Sequence, residues 1–135
     1  MPAKRLNLLL ALVLLLGLLA PASALAGPCR VVASVPAPQT AQVDPGLTYI
    51  EVRFDQDMLT DRWSWVTNPK LGAFPVVTGQ PKFVDSRTCR LPVQLKPGTT
   101  YAVGINTEGY GSFQAQAAPG VSCAGYQIVF TTEGK

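Results

Sequence analysis

The stretch Leu95-Lys96-Pro97-Gly98-Thr99-Thr100-Tyr101 decides the fold of this chain. Residues 88–95 before the turn alternate between apolar and polar side chains, and residues 101–105 after it alternate between large apolar residues and the small residues Ala and Gly. Pro97 and Gly98 favour a tight turn between these two segments. A tyrosine that follows such a turn can send its hydroxyl back to the upstream backbone while its ring fills the edge of a core. We therefore predict a structural corner between two strands, formed by Leu95, Gly98 and Tyr101.

Short alternating segments of the same kind recur along the chain, separated by Pro, Gly, Asn and Asp. No segment has the 3.6-residue period of an amphipathic helix. The predicted strands are 31–35, 48–54, 63–66, 74–77, 82–84, 88–95, 101–105 and 126–132. Seven or eight short strands, with no room for a crossover helix, predict an all-β fold, an immunoglobulin-like β-sandwich of two sheets.

The first 26 residues have the features of a secretory signal peptide. Two basic residues, Lys4 and Arg5, precede an apolar run over residues 6–19, and Ala-Leu-Ala at 24–26 provides a cleavage signal. The apolar run is shorter than the roughly 20 residues that a membrane-spanning helix needs. We therefore expect residues 1–26 to be removed and no membrane span to remain.

Removal of this leader leaves residues 27–135 as one domain that is secreted or periplasmic. Lipid anchoring at Cys29 is the weaker alternative, because Pro28 stands where a lipobox would need the cysteine.

Charge excludes one class of partner. The chain has 11 Lys+Arg and 8 Asp+Glu, and two of the bases lie in the leader, so the domain has 9 against 8 and a net charge of about +1. A nearly neutral domain without a basic run has no electrostatic basis for binding nucleic acid. We expect a monomer whose partner is an unknown envelope protein or glycan.

Four motifs occur in a characteristic order and spacing. They are Ser-Val-Pro-Ala-Pro at 34–38, Ile-Glu-Val-Arg-Phe-Asp-Gln-Asp-Met at 50–58, the Pro-Gly-Thr-Thr-Tyr corner at 97–101 and Phe-Thr-Thr at 130–132. Together they resemble the bacterial immunoglobulin-like domain of the SbsA type, a family named from surface-layer proteins, over nearly all of residues 27–135. The resemblance implies a secreted or surface β-sandwich that acts as a spacer or adhesion module, here standing alone, and it implies no catalytic residues.

The residue inventory argues against catalysis and metal transport. The chain has no histidine, so it lacks the imidazole base of the usual Ser or Cys hydrolase. The same lack disfavours a metal carrier like CopC, whose copper site depends on histidines, and we expect Met58 in the core. Asp55, Asp57 and Asp61 offer oxygens for calcium, but their spacing does not match a loop of the EF-hand type. We therefore expect no cofactor, and we interpret Asp55 and Asp57 as residues that cap a strand end.

Three aromatic residues are the candidate ligand-binding residues. Trp63 and Trp65 are two apart, so in a strand they project from the same face. If that face is the core, they are core tryptophans; if it is the wet face, they form a platform on which sugars stack. Val66, of opposite parity, is a candidate for the inward side, which would turn both tryptophans outward. Ser64 shares the parity of Val66 and is no strong core marker, so we favour core or half-buried packing of the tryptophans.

Tyr110 and Phe113 lie in the connection 108–125, which is long enough to be either functional or poorly ordered. They could extend the platform or pin the connection to the domain, and we favour pinning.

These residues leave two functions open. The first is a non-catalytic interaction or structural module of the bacterial envelope. The alternative is a carbohydrate- or peptidoglycan-binding module that uses Trp63, Trp65 and Tyr110.

Three cysteines in an exported chain allow one disulfide and one free thiol. Cys89 alternates with Leu91 and Val93, so we expect a buried free thiol there. In immunoglobulin-like sandwiches the first strand can run parallel beside the last, which would bring Cys29 and Cys123 together. Cys29–Cys123 is therefore the predicted pair, while Cys89–Cys123 and the absence of a bridge stay open.

Overall fold

The structure is a computed structural model that describes residues 28–107 and 109–134. The predicted signal peptide, residues 1–26, lies outside the described residues. Within the part of the chain that the structure describes, no helix is long and apolar enough to cross a membrane.

The described residues form nine β-strands in two sheets. The strands are β1 (Val31–Val35), β2 (Thr40–Val43), β3 (Tyr49–Phe54), β4 (Trp65–Thr67), β5 (Val76–Val77), β6 (Lys82–Phe83), β7 (Thr88–Gln94), β8 (Thr100–Ile105) and β9 (Tyr126–Thr132). The first sheet has the order β1-β3-β7-β5, with β6 also paired to β7, and the second has the order β2-β9-β8-β4. The predicted all-β, two-sheet architecture is confirmed, with one strand more than expected.

In the first sheet, β3 and β7 pair antiparallel along their lengths. One face of each strand points into the core, since the following alternating residues are buried: Ile50, Val52, Phe54, Cys89, Leu91 and Val93. The other side of β7 pairs with β5 at Val93 and Gln94 and with β6 at Cys89 and Arg90. One edge of this sheet therefore consists of two short strands that lie end to end.

In the second sheet, β8 lies between β9 and the edge strand β4. β8 and β9 pair antiparallel over six residues, from Thr100 opposite Thr131 to Ile105 opposite Tyr126. β2 forms the other edge and runs parallel to β9, with Thr40 opposite Phe130. The sequence pattern does not predict β2, because its Thr-Ala-Gln-Val sequence is only four residues long, half of it is polar and half of it is exposed.

The corner joins β7 of the first sheet to β8 of the second. The Tyr101 ring is buried and its centroid lies 5.4 Å from that of Phe130. The Tyr101 hydroxyl accepts a hydrogen bond from the Lys96 backbone N–H at 2.8 Å. Leu95 is buried at the end of β7, and Gly98 has a φ of 57°, a region that favours glycine because no Cβ is present. The turn is thus linked to both sheets by packing and by a hydrogen bond.

A buried threonine ties this corner to the last strand. The Thr132 hydroxyl donates to the Lys96 carbonyl oxygen at 2.6 Å and accepts from the Thr99 backbone N–H at 2.9 Å. Because Thr132 ends β9, the corner is connected to the neighbouring strand as well as to its own.

Cys29 and Cys123 form a disulfide with their Cα atoms 4.5 Å apart, which confirms the predicted pair. The expected reason for this pairing was wrong. The strand parallel to β9 is β2, whereas β1, which follows Cys29, pairs antiparallel with β3. Cys89 is the buried free thiol, as predicted. Since the Cys29 sulfur belongs to the bridge, it cannot also carry a lipid.

Replacing Tyr101 by Phe tests the corner. The ring stays, but the part-buried Lys96 N–H loses its acceptor, so we expect the free energy of unfolding to fall by about 1–2 kcal/mol in urea denaturation. Tyr126→Phe is the matched control, because the Tyr126 hydroxyl has only a 3.4 Å contact with the Ser34 hydroxyl. Equal losses in the two variants would contradict a specific contribution of the corner bond.

Candidate functional site

A cleft opens between the two sheets along one side of the sandwich, and it reaches from Val77, near the corner, to Ser112 at the opposite end. One side is the edge strand β4, and the other is the edge formed by β5 and β6. The cleft has a volume of about 430 Å³ and is lined by residues that include Trp63, Trp65, Phe74, Val77, Tyr110 and Ser112. We call it the aromatic cleft. The structure brings the three candidate ligand-binding residues together in this one site.

Trp65 is placed by strand pairing. It lies directly opposite the fully buried Ile105, and directly paired residues point to the same face of a sheet. Its indole therefore points between the sheets, and Val66, opposite Gly104, lies on the outer face. Val66 is therefore not the inward residue, and the core or half-buried packing that the sequence favours for the tryptophans is confirmed. The half-buried Trp65 ring packs edge to face on Phe113, with centroids 5.6 Å apart and planes at 77°.

Trp63 and Tyr110 reach the cleft from loops. Trp63 precedes β4, is half-buried and packs against the core, and with Pro81 it also borders a neighbouring depression. Tyr110 is 65% exposed, and its backbone exchanges two hydrogen bonds with Thr107, at 2.8 and 2.9 Å. Both tryptophans therefore combine core packing with a face on the cleft, whereas Tyr110 contributes an accessible ring.

The Phe113 ring is fully buried and organises this end of the molecule. Its centroid lies 5.0 Å from that of Phe54, 5.6 Å from Trp65 and 6.2 Å from Phe83. These neighbours belong to β3, β4 and β6, so the ring contacts both sheets. Residues 109–125 of the long connection are thus fixed to the core through Phe113, while Tyr110, three residues earlier, stays accessible.

Asn106, which the sequence analysis did not single out, positions this connection. Its buried side-chain amide donates to the carbonyl oxygens of Phe113 at 3.0 Å and Cys123 at 3.1 Å, and its oxygen accepts from the Phe113 N–H at 3.1 Å. Its φ of 46° lies in the left-handed region, where asparagine is enriched. One sequence signal could have indicated this role: Asn106 stands directly after a buried strand and before a long polar connection.

Cys89 lies under the cleft, next to Trp65. Burial raises the pKa of the Cys89 thiol to about 12, and the Trp65 side chain and the Lys82 backbone offset this rise only in part. The Trp65 Nε1–H is buried and has no hydrogen-bond partner among the described atoms. The neighbouring Cys89 sulfur is only a weak acceptor for this group. The thiol is therefore protonated at neutral pH, and it is not a nucleophile of the thiolate kind.

The three aspartates considered for calcium are engaged separately. Each pairs with a different arginine: Asp55 with Arg30, Asp57 with Arg87 and Asp61 with Arg62. The hydrogen bond from Arg87, with a second from Ser86, lowers the pKa of Asp57. Among the residues that the structure describes, no three His, Cys, Asp or Glu side chains are grouped as metal ligands. Met58 is buried in the core, as predicted.

Comparisons with known proteins leave the family open. No protein-family model matches the chain, and no curated protein matches it. The assignment to the SbsA type therefore rests on the motifs at 34–38, 50–58, 97–101 and 130–132, and we carry it forward as a proposal.

Replacing Asn106 tests how the connection is held. Asn106→Ala removes three buried hydrogen bonds and places a Cβ residue without a local partner at φ 46°, so we expect a loss of about 2–4 kcal/mol. Asn106→Gly removes the same bonds but accepts this φ, and should lose about 1 kcal/mol less. Both variants should be cleaved faster by protease within residues 109–122. Wild-type protease resistance in both would contradict the role of the amide.

Because the Cys89 thiol is buried, we expect the protein to lose stability at alkaline pH. The pKa of Cys89 rises from 9.0 to about 12 on folding, so the fold favours the protonated form. The contribution of this pKa shift to the free energy of unfolding is complete below pH 9 and is lost as the pH rises from there through about 12. We expect the urea midpoint of the wild type to fall more steeply above about pH 9 than that of Cys89→Ala. Parallel declines would show that other groups account for the loss.

Proposed function

We propose that this chain is a non-catalytic, exported immunoglobulin-like domain of the SbsA type that acts as an interaction module in the bacterial envelope. Its sequence motifs, its two stacked sheets and the hydrogen bond between Tyr101 and Lys96 support this class. The Cys29–Cys123 disulfide supports an oxidising compartment, where such bridges persist.

The observation that carries the function is the convergence of Trp63, Trp65 and Tyr110 on the aromatic cleft. A sugar ring has an apolar C–H face and a rim of hydroxyl groups. Aromatic rings with a polar end match both features, and the Ser112 hydroxyl adds a further hydrogen-bonding group. The volume of about 430 Å³ lies within the usual range for a small-ligand site. We therefore propose a glycan as the ligand.

The cleft is preorganised by the packing beneath it. Trp65 is held by its pairing with Ile105 and by the Phe113 ring, and the Tyr110 backbone is held by Thr107. Rings that are already fixed lose little conformational freedom when a ligand binds. An open cleft can therefore still bind with useful affinity.

The described residues that line the cleft supply binding groups and no catalytic ones. They are aromatic, aliphatic or hydroxyl-bearing, and none carries a carboxylate or an imidazole. General acid–base chemistry needs such a group within hydrogen-bonding reach of the substrate. Stacking and hydrogen bonding are thus the interactions that this lining can offer.

A purely structural role is the second candidate. It is favoured by the half-burial of Trp63 and Trp65, which pack against the core in the way that core tryptophans of a sandwich do. The two candidates differ in what the exposed faces of these rings do. Only the binding function requires Tyr110 to be accessible, and only the binding function predicts a ligand.

Glycan-array screening followed by titration calorimetry tests the binding function. We expect at least one class of glycan to bind, and Trp63→Ala or Tyr110→Ala to weaken that binding tenfold or more, about 1.4 kcal/mol each. The expected cause is loss of the stacking surface at the cleft. Ligand binding should also quench or shift tryptophan emission.

Tyr49→Ala is the matched control for these variants. Tyr49 is a half-buried aromatic residue on the outer face of the first sheet, where Arg90 lies 4.2 Å from its ring centroid, away from the cleft. It should leave glycan affinity unchanged. The absence of any glycan binding to the folded wild type would leave the structural role as the better proposal.

A further inference from the structure

The aromatic cleft continues into a second, more polar hollow. This polar basin has a volume of about 710 Å³ and is lined by residues that include Asn106, Thr107, Gly109, Ser112, Gln114 and Ser122. Ser112 borders both hollows, and Tyr110 lies between basin residues in the chain. The two hollows therefore adjoin and form one groove across this end of the sandwich.

The floor of the polar basin is held by its own hydrogen bonds. Gln114 donates to the Gly111 carbonyl oxygen at 3.2 Å and accepts from the Gly120 N–H at 2.8 Å. The Ser122 hydroxyl donates to the same Gly111 oxygen at 2.9 Å, and the Asn106 amide is fully engaged beneath. A floor with these bonds needs little reordering when a ligand arrives.

The basin presents polar backbone as well as side chains. Three glycines, Gly109, Gly111 and Gly125, are part of its lining. At Gly109 the position of a Cβ is open space, so a ligand can approach the main chain closely, whereas Gly111 and Gly125 pack against Ser122 and Asn106. Each backbone unit offers a strong donor and a strong acceptor. Hydroxyl groups, which both donate and accept, are the natural partners for such a surface.

The groove carries no charge on its described lining. Every described residue that borders the aromatic cleft or the polar basin is uncharged. The Arg62 guanidinium, which donates to the Gln114 amide oxygen at 3.5 Å, is already paired with Asp61. A carboxylate or phosphate placed in the groove would lose hydration and would have to compete with Asp61 for this arginine. Apolar rings at one end and hydroxyl-binding groups at the other therefore suit an uncharged ligand with repeated hydroxyl groups.

We infer that the groove binds an uncharged, linear glycan, with one sugar unit stacked in the aromatic cleft and the following units in the polar basin. This inference rests on the proposed function, and it adds the charge and the length of the ligand. An extended peptide would instead be expected to add to the free edge of β4 through backbone hydrogen bonds, and it would leave the basin unused. Affinity should therefore rise with the number of neutral sugar units.

Titration calorimetry of the disulfide-bonded protein with oligosaccharides tests this directly. The probes are cello- and chito-oligosaccharides of one to about six units, with oligogalacturonates as charged counterparts. We expect the Kd for neutral chains to fall at least tenfold between one and four units. Thr107→Arg, which fills the basin from an exposed position, should bring the ratio of the affinities for four-unit and one-unit chains towards one. Thr107→Ser should preserve this ratio.

The outcomes distinguish the extended groove from the proposed glycan-binding function on which it rests. Equal affinity for all chain lengths, with binding still lost in Trp63→Ala, overturns the extended groove but leaves the glycan site in place. Tighter binding of the oligogalacturonates overturns the preference for neutral chains. Binding of a peptide library but of no glycan overturns both proposals.

Discussion

The end of the sandwich opposite the corner depends on the burial of the Phe113 ring. Its three aromatic neighbours, Phe54, Trp65 and Phe83, come from both sheets, and the ring itself comes from the connection between β8 and β9. Fully burying a side chain of this size contributes about 2–3 kcal/mol. One ring thus closes the sandwich opposite the corner and places the connection. Asn106 holds its backbone from one side, and Cys123, whose N–H donates to the Phe113 carbonyl oxygen at 2.9 Å, holds it from the other.

The geometry of the aromatic cleft follows from this arrangement. Tyr110 and Ser112 are brought to the surface because Phe113 is drawn into the core directly after them. Trp65 forms the wall because its ring rests on Phe113, which explains why it is only half-buried and still faces a ligand-sized space. Core packing and ligand binding were posed as alternatives for the tryptophans. In the structure the tryptophans pack against the core and also line the cleft, so the proposed binding role is compatible with core packing.

Sequence reasoning succeeded where one face of a strand is buried. Alternation predicted β3, β7 and β8, because a period of two shows which residues share a face. It does not show which face is inward, so the orientation of Trp65 depended on its pairing with Ile105, which lies 40 positions away. β2 escaped prediction because it is a short, polar edge strand with only two paired positions. Asn106 escaped it because its partners lie 7 and 17 residues later. Trp63, Trp65 and Tyr110 come together at one cleft in the structure, but the contacts that bring them together are not local.

The two ends of the sandwich are closed by different kinds of contact. The corner is local, since the Tyr101 hydroxyl reaches a backbone group only five residues away. The end that holds the cleft is closed by a disulfide between residues 94 positions apart. A bridge over so long a segment acts mainly by restricting the unfolded chain, and it also anchors Cys123 beside Phe113. The order of the cleft is therefore linked directly to oxidation of these cysteines through Cys123, whereas the corner shares only in the general stabilisation of the fold. A binding site built in this way is suited to an oxidising compartment, which is where the leader sequence is expected to send the protein.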